Sequence, residues 1–390
     1  MRISRKLLQL KPSATLAVSS KAMDLRAQGR EIISLSVGEP DFRTPEHICQ
    51  AAKQAIDDGF TRYTQVQGIP EARQAVAGYF KEHYGVEASS EATILSNGGK
   101  QALYNLFQAL LDPGDEVIVP APYWVSYPAM IQLADGVPVP VTTTVANNYK
   151  VTVEDIEKAL TDKTRAIVIN SPSNPTGAHY TAAELDAVAG FCIAKGLFII
   201  SDEIYDQLVY APALRLSLAG WWQKHPEQVA VVNGLAKSYA ATGWRVGYAL
   251  AHPDLIKALS KIQGQSTSNI CSIAQKAAIA ALTGPHEPLD EMRATFARRR
   301  DLTMDIVGRW PGVECPRPDG AFYVFPKVNA YYKDDAKDST TLCTKLLEEA
   351  GVALVPGAAF GDDACVRISY ATSDELLIKG LEKVARVLFE

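Results

Sequence analysis

The sequence predicts an α/β protein: a mostly parallel sheet of seven strands, with a smaller α+β unit beside it. Three observations carry that expectation. Between Thr93 and Leu250, short β-rich runs alternate with segments of helical length. Runs such as AIVIN (166–170) and LFIIS (197–201) are apolar almost throughout, as strands covered by helices on both faces must be. Beyond residue 285 the alternation gives way to one long helical segment and then irregularly spaced strands and helices.

Taken in order, the first 45 residues lack strong periodicity and read as an N-terminal arm plus a segment joining the small unit. Strands are expected at 93–96, 116–119, 137–141, 166–170, 198–201, 229–233 and 245–250. Helices are expected at 101–111, around 123–134, and at 182–195. Residues 286–309 keep a helical period with no breaker after Pro288, which predicts a long helix. Strands at 321–325, 352–355 and 366–369 follow, with a helix at 339–350 and a last one from Asp374. The chain is therefore expected to divide into 1–45 (arm and part of the small unit), 46–285 (large unit) and 286–390 (small unit).

Composition narrows the function classes. Of 390 residues, 47% are apolar and 21% charged, so the chain can bury an ordinary core and is not a disordered one. The net charge of −5 gives no reason to expect a nucleic-acid partner. The six cysteines lie far apart, without C-x-x-C and without metal-like pairing to the six histidines. They read as thiols in a reducing compartment, and no metal is expected. Arg2, Arg5 and Lys6 could begin an export signal, but Lys11, Pro12 and Lys21 break the apolar run behind them. No stretch reaches the roughly 18 apolar residues of a membrane span. A cytoplasmic protein with no membrane partner is expected.

Four segments carry chemistry. G-x-G-x-x-G is absent, and in SNGGKQ (96–101) Gln101 stands where a P-loop needs Ser or Thr. A strand leading through Gly-Gly into a helix is nonetheless an anion site in outline, because helix N-termini offer free N–H groups; a plain turn fits equally well. Asp202 and Tyr205 lie in SDEIY, past a parallel strand, where open α/β sheets bind ligands; a helix cap is the other reading. Asn174 sits in NSPSNPTG (170–177), a loop stiffened by two prolines. Lys237 follows another apolar strand amid small uncharged residues, a setting that can lower its pKa for Schiff-base chemistry with an aldehyde. Arg245, eight residues on, offers a fork suited to phosphate.

In order and spacing, SPSNPTG, SDEIY, the Lys237 block with TGWRVGY, and VRIS (366–369) resemble the class I/II aminotransferases of the pyridoxal-phosphate fold-type I superfamily. KPSAT (11–15), GEPDF (38–42), the segment 98–117 and PYWVSYP (122–128) are most similar to the bacterial aspartate aminotransferases of the Ib subgroup. The resemblance implies pyridoxal 5′-phosphate as cofactor and a homodimer with shared sites. Lys237 would hold the cofactor and then move the substrate proton. Asp202 would pair with the pyridine nitrogen, while Tyr205 and Asn174 would bond the phenolic oxygen. Trp124 would stack on the ring. Gly99, Lys100 and Arg245 would take the phosphate, joined by Tyr63 from the other subunit. Arg367 would clamp the substrate α-carboxylate, helped by Asn174 and Gly38. Lys100 would also meet a second substrate carboxylate, Thr15 lies in the covering arm, and Lys11 matches a basic position linked to accepting prephenate. Gly234 and Ala236 stand where many relatives carry Ser. The implied reaction is ping-pong transfer from aspartate to 2-oxoglutarate, with a prephenate or aromatic aminotransferase, or a β-lyase on the same fold, as alternatives. A transcription regulator on this fold would need a DNA-binding domain, for which residues 1–45 are too few.

Overall fold

The continuous apolar runs assemble into one large sheet. The computed structural model describes residues 3–10 and 14–389. A two-residue strand β1 (Ile33–Ser34) comes first. The sheet is then built from β2 (Thr93–Ser96), β3 (Glu116–Ala121), β4 (Val137–Thr142), β5 (Thr164–Asn170), β6 (Phe198–Asp202), β7 (Val229–Gly234) and β8 (Gly247–Leu250). Their spatial order is β2-β8-β7-β6-β5-β3-β4. The pairs from β4 through β7 are parallel, and β8 runs antiparallel between β7 and β2. Strand β8 starts at Gly247 rather than at 245. Arg245 adopts a left-handed conformation (φ 55°) at the end of the helical turn Thr242–Trp244, which delays the strand.

Side chains alternate between two apolar layers along the strands. Ile118, Ile167, Ile199 and Val231 face the helices Glu46–Asp57, Pro70–Tyr84 and Ser272–Thr283. Their neighbours Val117, Val168, Ile200 and Val232 face Gly99–Leu110, Ser126–Leu133 and Pro253–Ser266. That two-sided cover is why the strands read as unbroken apolar runs. In register, Asn170 at the end of β5 stands beside Asp202 at the end of β6.

The long helix spans Glu287–Val307, close to expectation. Strand β9 (Tyr323–Val324) is shorter than the expected 321–325, because Ala321 sits at φ 56° and cannot join it. The expected strand at 352–355 is two: β10 (Val352–Ala353) pairs with β1 in parallel, and the chain then changes partner. After that change, β11 (Val355–Pro356) pairs antiparallel with β12 (Val366–Ser369), which also pairs with β9. The helix expected at 339–350 is regular over Ser339–Lys345 and widens over Leu346–Ala350, ending at the left-handed Gly351. The last helix is Asp374–Phe389. Ile33 and Leu35 pack with Phe296, Val324, Ile368 and Leu381. Tyr205 and Leu208, from the chain beyond β6, enter the same cluster.

Candidate active site

The carboxyl ends of β5, β6 and β7 open into a cavity of about 380 Å³, lined also by residues 36–38 and by Arg367 of β12. Asp202 ends β6 and is 4% exposed. Its Oδ2 accepts from the Tyr127 hydroxyl at 2.5 Å and its Oδ1 from the Ile204 N–H at 3.3 Å. Burial pushes its pKa up to about 6, with those two hydrogen bonds pulling the other way. Both hydrogen-bond partners are neutral, and the charge of Lys237 adds a smaller pull toward the ionised form.

Lys237 lies in the turn after β7 and donates from Nζ to the Gly38 carbonyl. Burial first, and then the charge of Arg367, push its pKa down to about 8. A lysine so placed holds a larger share of neutral amine near neutrality than an ordinary lysine, as nucleophilic and base chemistry require. The Tyr205 ring lies 6.0 Å from its Nζ, and the Tyr205 hydroxyl bonds that of Tyr323 at 3.0 Å.

Arg367, on β12, is 3% exposed. Its Nη1 donates to Asn174 Oδ1 at 3.0 Å and its Nη2 to the Ser36 carbonyl at 2.7 Å. The guanidinium lies 4.4 Å over the Tyr323 ring, while its buried Nε–H has no partner. A buried donor left unbonded is costly. Asn174 is itself held from β5: its N–H donates to Asn170 Oδ1 at 2.8 Å, and Asn170 Nδ2 donates to the Asp202 carbonyl at 2.9 Å.

The Gly-Gly turn has the outline of an anion cradle. Gly98 takes φ 85°, the helix Gly99–Leu110 starts beside it, and a side chain at Gly98 would strike the Arg245 guanidinium. Arg245 holds its fork there by donating to the Thr242 and Asn97 carbonyls. Lys100 stands at the cavity rim with Nζ 4.9 Å from the Trp124 ring centre. Lost hydration and the Arg245 charge lower its pKa. Gly234 has a packing reason to lack a side chain: a Cβ would approach the Val246 carbonyl to 2.7 Å and Gly247 Cα to 2.9 Å.

The cavity thus gathers Gly38, Gly99, Lys100, Trp124, Asn174, Asp202, Tyr205, Lys237, Arg245 and Arg367 from the expected set. Tyr63 is not among them; it is 91% exposed on this chain. Thr15 lies on the helix Ala14–Ala27, with its side chain outside the described part, and Lys11 lies outside the described residues. Tyr127, Asn170 and Tyr323 also line the cavity without having been singled out. Tyr127 had a signal: it is three residues from Trp124, across the turn that opens the helix Ser126–Leu133, and packs edge-on to it at 5.3 Å. Glu82, His83 and His286, a group without cysteine, bring three ligand-type atoms within 4.8 Å of one another. The Glu82–His286 hydrogen bond of 3.0 Å accounts for the contact.

Four cations, Lys100, Lys237, Arg245 and Arg367, face a single carboxylate, Asp202, across the cavity. Pyridoxal phosphate fits this donor set: the glycine turn and Arg245 suit a phosphate, Lys237 an aldehyde, Asp202 a protonated pyridine nitrogen, and Trp124 an aromatic face. The aminotransferase class I and II family model matches residues 30–384. An aspartate aminotransferase from Geobacillus stearothermophilus is 45% identical, over 100% of this chain and 99% of its own. An aspartate/prephenate aminotransferase from Cereibacter sphaeroides is 46% identical, over 98% of this chain and 97% of its own. Among solved structures, the aspartate aminotransferase from Thermus thermophilus with maleate superposes at a TM-score of 0.94. It is 45% identical, and the match covers 99% of this chain and 100% of that one.

Proposed function

Because the chain belongs to the class I and II aminotransferases, which work with pyridoxal 5′-phosphate, we propose that it moves the amino group of L-aspartate to 2-oxoglutarate in a ping-pong cycle, yielding oxaloacetate and L-glutamate. One observation carries the choice of substrate. The cavity has two cationic poles for substrate, the buried Arg367 guanidinium and the rim ammonium of Lys100, and a dicarboxylic amino acid answers both. Relatives named aspartate aminotransferase, one solved with maleate, support the same reading. Prephenate is the second reading, favoured by the aspartate/prephenate relative.

Bound pyridoxal phosphate acts as an electron sink that weakens the Cα–H bond of the amino acid joined to it. The remaining work belongs to the chain. Lys237 would move the proton between Cα of the amino acid and C4′ of the cofactor, for which its lowered pKa is suited. Asp202 keeps a proton on the pyridine nitrogen, and a cation beside it would hold its own carboxyl ionised. Tyr205 and Asn174 donate to the phenolic oxygen, and Trp124 covers the ring. The first N–H groups of the helix Gly99–Leu110 and Arg245 bind the phosphate. Arg367 holds the α-carboxylate common to every amino acid.

The proposal includes a homodimer in which Tyr63 of the partner subunit reaches the phosphate; its exposure on a single chain supports this. Residues 46–285 serve as the cofactor-binding unit, with 1–45 and 286–390 sharing the small one. The six cysteines are free thiols, and no helix among the described residues is long and apolar enough to cross a membrane. Both features support a cytoplasmic enzyme.

Purified protein should carry an absorbance band from the amine-linked cofactor that moves with pH. Lys237→Ala should lose both that band and turnover, and turnover retained in that variant would falsify the assignment. A donor and acceptor panel then ranks substrates, and aspartate with 2-oxoglutarate should lead. A faster rate with prephenate would favour the second reading.

A further inference from the structure

Asp41 and Phe42 close the GEPDF motif, yet neither lines the cavity. They lie in the segment 36–44, which has no regular secondary structure and so no backbone ladder to orient its carbonyls. Two of those carbonyls nonetheless meet the key cations: Ser36 C=O accepts from Arg367, and Gly38 C=O from Lys237. Side chains must therefore fix the segment.

Two fasteners run to the Lys237 side. Thr242 donates to Glu39 Oε2 at 2.8 Å, and Thr44 donates to the Ala240 carbonyl at 2.9 Å while accepting from Trp244 Nε1 at 3.1 Å. A third runs to the other unit. Arg299, on the long helix, grips Asp41 with both ends of its fork, at 2.7 and 2.9 Å. The Arg299 side chain is 9% exposed and that of Asp41 30%. Its Nε reaches Asp374 at the start of the last helix, and Phe42 packs edge-on to Phe296 one turn before Arg299. The segment is thus bolted to the Lys237 turn on one side and to the Arg367 unit on the other.

We propose that Asp41 and Arg299 are positioning residues of the active site, their ion pair setting the segment 36–44 so that Arg367 and Lys237 face one substrate in register. The inference rests on the aminotransferase reading. Arg367 holds the α-carboxylate before and during reaction, so a loosened segment weakens uniform binding and raises KM more than it lowers kcat. The planar fork matters as well as the charge, so lysine is an incomplete substitute.

The test compares Arg299→Gln, Arg299→Lys, Asp41→Asn and the double variant Asp41→Asn/Arg299→Gln as holoenzymes, assayed well below their melting temperatures. The double variant guards against a lone charge that prevents folding. All should keep the cofactor band. KM for both aspartate and alanine should rise about tenfold to a hundredfold, the scale of effect that small misplacements produce, with a smaller change in kcat. Arg299→Lys should fall between wild type and Arg299→Gln. The double variant should be no worse than the worse single, because each change breaks the same pair. A double variant with lowered melting temperature and unchanged KM shows a purely structural pair and overturns the proposal, as do KM effects that add. A wild type without cofactor band or transamination would instead overturn the functional reading and this inference with it.

Discussion

A cation at the start of a helix is opposed by the helix dipole, and Lys100 is the second residue of Gly99–Leu110. Its Nζ rests over Trp124, a contact that leaves the charge free for a substrate carboxylate. A charged hydrogen bond contributes about 1.5–3 kcal/mol, or roughly one to two decades in kcat/KM. Lys100→Ala should therefore lose that much with aspartate and little with alanine. Arg367→Ala should damage both donors, because both carry the α-carboxylate. Equal losses for aspartate and alanine in Lys100→Ala would place Lys100 on the phosphate or the fold instead. At this scale the sequence was most legible where a residue sits in a compact motif, as Lys237, Asp202, Asn174 and Arg367 do. Tyr323 and Ser36 were not legible, since each gains its neighbour only when distant segments meet: Tyr205 for one, Arg367 for the other.

Legibility of the elements follows how far their burial extends along the chain. Strands covered on both faces announce themselves as apolar runs, and the seven strands of the large sheet were all readable. Strand β1 has two residues and a partner more than 300 positions away, so no local pattern marks it. The helices Glu46–Asp57, Pro70–Tyr84, Pro253–Ser266 and Ser272–Thr283, left unread, form much of the outer layers. Where β2, β8 and the cradle helix converge, the spacing is set by glycine. A Cβ on Gly247 would fall onto the backbone of Gly98 and Gly99, which has no flexible end to yield. Gly247→Ala must push β8 and the phosphate turn apart, at about 1–3 kcal/mol for such overpacking. It should lower the melting temperature and weaken cofactor retention together. Gly243→Ala, whose Cβ would meet nothing within 4 Å, is the control and should change neither. Normal cofactor retention in Gly247→Ala would show that the crossing does not set the cradle.

At the scale of the whole molecule, several exposed apolar side chains fall near the N-terminus: Ile3, Leu7, Leu8 and Met23 are each 46% exposed or more. Tyr63, the most exposed large side chain of its kind at 91%, lies before the helix Pro70–Tyr84. Exposed aromatic and aliphatic groups of this sort suit a contact between copies, and a symmetric dimer places the same patch of each chain at the joint. Lys237 and Arg367 face one cavity of one chain, whereas Tyr63 does not reach it, so the two kinds of residue must behave differently in mixed dimers. Mixing Lys237→Ala with Arg367→Ala should restore nothing, because every site then lacks one of its own residues. Mixing Tyr63→Ala with Lys237→Ala is different: the chain bearing Tyr63→Ala keeps its Lys237 and borrows an intact Tyr63 from its partner. Random exchange in a two-fold dimer gives such a site in about one quarter of all positions. Activity after exchange should rise toward that fraction of wild type and should not appear when the two variants are kept apart. Sedimentation of the fully active enzyme as a monomer, or equal recovery in both mixtures, would remove Tyr63 from the shared site.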